Sequence, residues 1–123
     1  MKPMHLITGG PKTGKTTRAG ANAEHMDDLG KDRAGWDERL NVVAAKIRGT
    51  GAEVIEGVVI PHALRRVLRD SPTARMDHVS VEYLTRPYGT LSRGQQAMTK
   101  GARTVWEEIK PELLRRGAKI TER

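Results

Sequence analysis

Cysteine and phenylalanine are both absent from the 123 residues, and aromatic residues make up only 3% of the chain. Without cysteine there is no disulfide framework, no thiolate metal site and no cysteine nucleophile. Without phenylalanine the core has to be aliphatic, built from Val, Ile, Leu, Ala and Met. Long apolar runs are missing too. The first residues offer one lysine and then "PMHLITGG", too short for a signal peptide or a membrane span. A soluble, cytoplasmic protein without a membrane partner is the expectation. Low-complexity linkers, internal repeats and polybasic tails are lacking as well, so residues 1–123 read as one domain, a length that suits a single core. Acidic residues are the scarcer charge: 15 Asp and Glu against 22 Lys and Arg give a net charge of +7. A field of that sign attracts polyanions, which makes nucleic acid a candidate partner beside nucleotide phosphates. The four histidines, His5, His25, His62 and His78, show no metal-ligand spacing.

What is present alternates between strand and helix signals. "MHLIT" (Met4 to Thr8) is a short apolar run ending in glycines and suits a buried parallel strand. Gly14 to about His25 is helical by composition, with residues 22–30 open to a second strand, and Asp27 to Gly35 reads as loop. In "DERLNVVAAKIRG", Leu40, Val43, Ala44 and Ile47 fall at helical spacing, with Asp37 as N-cap and Gly49 just past the end. Ala52 to Ile60 is β-branched and apolar, a buried strand interrupted by Glu56 and Gly57. Pro61 then starts a helix whose apolar face is Ala63, Leu64, Val67 and Leu68. Asp77 to Leu84 is a further strand. "GQQAMTKGARTVWEEI" is a helix that Pro111 ends or kinks, and "AKIT" is a short last strand. Trp106 lies on that helix's apolar side, and Trp36 leads into another apolar face, so both read as packing residues. Alternation of this kind predicts an α/β fold in three layers, with a small four- or five-stranded, mainly parallel sheet flanked by helices. Ligands of such sheets bind at the carboxyl ends of the strands.

Gly9 to Thr16, "GGPKTGKT", satisfies G-x-x-x-x-G-K-[ST] in full, after an expected strand and before an expected helix. The chemistry explains the residue types. Glycines let backbone N–H groups turn toward phosphate oxygens, and a helix N-terminus adds a favourable dipole. Gly9, Gly10, Pro11, Lys12, Thr13, Gly14, Lys15, Thr16 and Thr17 are therefore the expected nucleotide-binding residues. Lys15 would reach the β and γ phosphates of ATP or GTP, and the Thr16 hydroxyl would ligate Mg²⁺. Glu56 is the candidate second metal residue, because an acid inside an apolar strand is costly unless it faces a cation or polar site. Asp27 and Asp28, with Asp32 next, are candidates to orient an acceptor. Arg86, after the fourth strand, and Arg93, in the following loop, are placed to cover a transferring phosphoryl group. Arg65 and Arg66 read as substrate or solvent contacts, with Lys100 and Arg103 as weaker candidates.

"GGPKTGKTT", the "VIEG" strand end followed by Pro61 and a basic helix, and "YLTRP" before a lid-like loop together resemble the small P-loop kinases of the adenylate and shikimate kinase type. The chain is also similar to compact P-loop proteins of bacteriophage genomes, generally described as kinases or ATPases. The resemblance implies a P-loop NTPase fold and an Mg-ATP-dependent phosphotransferase acting on a nucleotide, a nucleic-acid end or a small hydroxyl metabolite. It matches Glu56 and Gly57 to the acidic residue and glycine that end the third strand in adenylate kinase; the arginine that follows in that family is His62 here. Two stretches are trimmed: twelve residues separate Lys15 from Asp28, and the loop over residues 86–96 is short for a lid. A nucleotide-binding interaction module without chemistry, and a slow DNA-linked ATPase, are the alternatives. "LSRGQQ" (Leu91 to Gln96) looks like the signature of ABC ATPases, but a basic amphipathic helix follows it rather than an apolar strand ending in Asp-Glu, so Ser92 and Gln95 read as lid-loop or helix-start residues.

Overall fold

The computed structural model describes residues 3–10, 24–25, 36–48, 54–87 and 89–123, without the side chains of residues 24, 25, 36, 37 and 39. Five strands are present among them: β1 (Met4–Gly9), β2 (Glu24–His25), β3 (Val54–Glu56), β4 (Val79–Leu84) and β5 (Lys119–Glu122). Three helices accompany them: α1 (Trp36–Arg48), α2 (Ile60–Asp70) and α3 (Arg93–Arg115). The strands form one all-parallel sheet in the order β2-β3-β1-β4-β5, so the chain's first strand is its centre.

The steps β2 to β3, β3 to β4 and β4 to β5 all cross the sheet in the same direction. Right-handed crossovers therefore put α1, α2 and α3 on one face. The core confirms this placement. Leu6 stands opposite Ile55 and Val81, and these three, with Met4, Val79 and Tyr83, pack against Val43 and Ile47 of α1, Leu64 and Val67 of α2, and Trp106, Ile109 and Leu113 of α3. The aliphatic core expected from the absence of phenylalanine is present, with one aromatic layer: Trp106, fully buried, stacks on Tyr83 at 4.9 Å between ring centroids. The opposite face of the sheet carries Ile7, Glu56, Glu82 and Leu84, all buried.

Several boundaries differ from the sequence expectation. Glu24 and His25 are strand rather than the end of a helix, because they pair with Ile55 and Glu56 and that ladder outweighs local composition. α1 begins at Trp36, so Asp37 lies within its first turn rather than at the cap. β3 is described from Val54 and ends at Glu56, four residues before the expected Ile60. Gly57 closes the ladder by donating its N–H to Ile7 O at 3.1 Å, after which Val59 and Ile60 turn into the core as the start of α2. α3 runs through Pro111 without ending. The missing N–H costs one helical bond, but Pro111 is exposed, and the turn beyond it is held by the buried Leu113 and by a glycine-terminated cap.

That cap is a Schellman motif: Gly117 N–H bonds to Leu114 O at 3.1 Å and Ala118 N–H to Leu113 O at 3.0 Å. Gly117 has φ of 96°, and a Cβ there would lie 2.1 Å from Asp77 Oδ1, so glycine is required twice over. Arg116, 5% exposed, fastens the same corner. Its guanidinium donates to the carbonyls of Leu68 (3.0 Å), Ser71 (2.5 Å) and Ala74 (3.3 Å) at the end of α2, and to Glu112 at 2.8 Å.

Candidate functional site

In this sheet the order in which strands are added reverses at the centre: β2 and β3 lie to one side of β1, β4 and β5 to the other. Such a switch point opens a crevice at the carboxyl ends of the central strands. The residues gathered there come from the ends of β1, β3 and β4 and from the start of α3.

β1 ends in Thr8 and Gly9. The buried Thr8 hydroxyl donates to Gly57 O at 2.8 Å, tying the end of β1 to the end of β3. Gly9 has φ of 152°, a backbone state that side chains disfavour. At Gly10 a Cβ would lie 2.5 Å from Thr99 Oγ1, so α3 passes close over the exit from β1 and leaves no room for a larger residue. The two glycines that open the sequence motif thus have structural reasons to be glycine. Pro11, Lys12, Thr13, Gly14, Lys15, Thr16 and Thr17 lie outside the described residues, as do Asp27, Asp28 and Asp32.

Glu56 stands at the carboxyl end of β3, beside Ile7 of the central strand, and is 2% exposed. It is not the solvent-facing edge carboxylate that a polar strand residue often is. A carboxylate buried at the mouth of a parallel sheet, one strand from the glycine turn, suits a hard cation that takes few protein ligands and keeps phosphate or water oxygens for the rest. Among the described residues no three His, Asp or Glu side chains gather that would hold a metal by themselves.

The sequence reading did not single out Glu82, which flanks Ile7 on β4 as Glu56 does on β3. It is 4% exposed, with Arg123 Nε 2.5 Å from one oxygen and His5 Nε2 3.5 Å from the other. The signal was available, since Glu82 sits inside the apolar strand "VSVEYL" as Glu56 sits inside "VIEG". Its cationic partner comes from the far end of the chain, which no local pattern shows.

Arg86 and Arg93 are both at the carboxyl edge and exposed, but Arg93 is the first residue of α3 rather than part of a loop. Ser92 is its N-cap and forms a capping box: Ser92 Oγ accepts from Gln95 N–H at 3.1 Å, and Gln95 Oε1 from Ser92 N–H at 2.9 Å. "LSRGQ" is therefore a helix start. Arg65 and Arg66 are engaged within the fold, Arg65 with Glu108 at 3.3 Å and Arg66 with Asn41 at 2.6 Å, and so are poorly placed as substrate contacts. His62, where the resemblance would have an arginine, is partly buried on α2; desolvation, with Arg65 nearby, lowers its pKa and favours neutral imidazole. Behind the site, Lys110 hydrogen-bonds Glu122 and holds that carboxylate below its usual range, while Trp106 Nε1 donates to it at 3.3 Å.

No helix among the described residues is long and apolar enough to cross a membrane. No protein-family model, curated protein or solved structure matches the chain.

Proposed function

We propose that the chain is an Mg-ATP-dependent phosphotransferase with a P-loop NTPase fold, acting in the cytoplasm on an acceptor hydroxyl or phosphate. One observation carries the reading. The complete G-x-x-x-x-G-K-T motif issues from the carboxyl end of the central strand of an all-parallel sheet, with a buried carboxylate at the end of the neighbouring strand. In this scheme Gly9 to Thr17 wrap the triphosphate, Lys15 contacts the β and γ phosphates, and Thr16 and Glu56 hold Mg²⁺. The metal would draw charge from the phosphate oxygens when bound. Asp27 or Asp28 would orient the acceptor, and Arg86 and Arg93 would stabilise charge on the phosphoryl group as it transfers. GTP fits the same backbone contacts as ATP.

The test is ADP release against a panel of nucleotides, oligonucleotide ends and hydroxyl metabolites. Acceptor-dependent release is expected, falling on the order of a hundredfold or more in Lys15→Ala and Glu56→Gln. Release that no acceptor stimulates would remove the transferase reading. The twelve residues between Lys15 and Asp28 favour a second reading, a nucleotide-binding interaction module that does no chemistry. It predicts tight nucleotide binding with no turnover under any of these conditions. A slow ATPase would instead turn over when DNA is added, more weakly as salt rises.

A further inference from the structure

From Tyr83 to Trp106 there is no acidic residue, while Arg86, Arg93, Lys100 and Arg103 fall within the stretch. Elsewhere on the described surface most cations are matched: Arg48 with Asp70, Arg65 with Glu108, Arg75 with Asp77, Lys110 with Glu122, and Arg115 with Glu112. Arg86, Arg93 and Lys100 have no ion-pair partner among the described residues, and Arg103 has only Glu107, 3.4 Å away at the far end of the stretch. An open groove of about 530 Å³ runs here, lined by Gln96, Lys100, Arg103, Thr104 and Glu107 of α3, with Leu91 at its start. Residues 96, 100, 103, 104 and 107 recur at helical spacing, so the groove follows the helix for roughly 16 Å at 1.5 Å per residue.

We infer that this groove binds the sugar-phosphate backbone of a nucleic acid strand. A small anion calls for charges that converge on one point. Here Lys100 and Arg103 line the groove and Arg93, outside its lining, precedes them on the helix, so the three succeed one another along the axis, separated by roughly 10 and 5 Å. Successive positive charge beside an open channel, met by an acid only where Glu107 pairs with Arg103 at the far end, complements a linear polyanion. Among the described residues no aromatic side chain lines the groove, and its cations would contact phosphates, which carry no sequence information. The groove leads to the carboxyl edge, where Thr99 of α3 meets Gly10. This choice of a nucleic-acid acceptor rests on the phosphotransfer reading for what happens to the bound strand, but not for the binding itself.

The experiment is fluorescence anisotropy of a labelled oligonucleotide, single-stranded in one arm and duplex in the other, titrated with the full chain without nucleotide at several salt concentrations. Lys100→Gln combined with Arg103→Gln should weaken binding on the order of tenfold at low salt and reduce the salt slope by about 1.5 to 2. Arg69→Gln combined with Lys119→Gln removes the same charge from other exposed positions and should change affinity by less than about twofold. Lys15→Ala should bind the oligonucleotide as the unaltered chain does. Equal losses in the two double variants, polyglutamate competing as well as the oligonucleotide, or loss of binding in Lys15→Ala would each overturn the inference. Oligonucleotide binding by the unaltered chain with no acceptor-dependent ADP release would count against the phosphotransfer reading alone.

Discussion

The two ends of α3 carry similar basic residues and use them in opposite ways. At its carboxyl end Arg115 and Arg116 are engaged by the fold: the exposed Arg115 pairs with Glu112 on the surface, and the buried Arg116 closes the carbonyls of Leu68, Ser71 and Ala74 at and just after the end of α2. At its amino end Arg93 and Lys100 are exposed and have no acid beside them among the described residues, and Met98 between them is half exposed. The difference follows from what each end touches. The carboxyl end packs on α2 and the amino edge of the sheet, where an uncompensated guanidinium would be costly. The amino end stands over the carboxyl edge, where bound phosphate would supply the missing negative charge. One end of the helix holds the fold together, and the other is free to meet a ligand.

Breaking the anchored end should give the largest effect. Arg116→Met leaves the carbonyls of Leu68, Ser71 and Ala74 without their donor and should lower the unfolding free energy by about 2–4 kcal/mol in urea titrations. The same anchor has a pH signature. Hydrogen bonds from Arg115, then Arg116, hold Glu112 at about 2 against an ordinary 4.5. Because the folded value is depressed, the stabilisation is complete above about 4.5 and lost as pH falls toward 2. Urea midpoints followed through that window should fall less steeply in Glu112→Gln. Gly117→Ala, which forces a Cβ against Asp77 at positive φ, should cost about 1–3 kcal/mol. At the other end Ser92→Ala removes half of the capping box, an expected loss of about 1 kcal/mol. Smallest of all in stability is Arg93→Gln, within about 0.5 kcal/mol, although it should slow phosphoryl transfer. A large loss of stability in Arg93→Gln would erase the distinction between the two ends.

Much of the architecture was legible because its elements announce themselves locally. β1, β4 and the apolar stripes of α2 and α3 follow from period and composition, and Trp106 lies where its spacing puts it. The elements that escaped are those defined by a distant partner. β2 is a strand only because Ile55 and Glu56 pair with it, β3 ends early because Gly57 turns back to Ile7, and α3 survives Pro111 because residues beyond it are packed. At the candidate site Glu56 was found by the strangeness of an acid in an apolar strand. Glu82 carried the same signal, but its partners, His5 and Arg123, come from the two ends of the sequence.

Calorimetric titration of the chain with ATP, with and without magnesium, asks whether residues 9–17 grip a triphosphate at all. Magnesium-dependent binding with a dissociation constant between roughly 1 μM and 1 mM is expected, lost in Lys15→Ala while the fold is kept. A chain that shows no magnesium-dependent affinity for any purine triphosphate would contradict it.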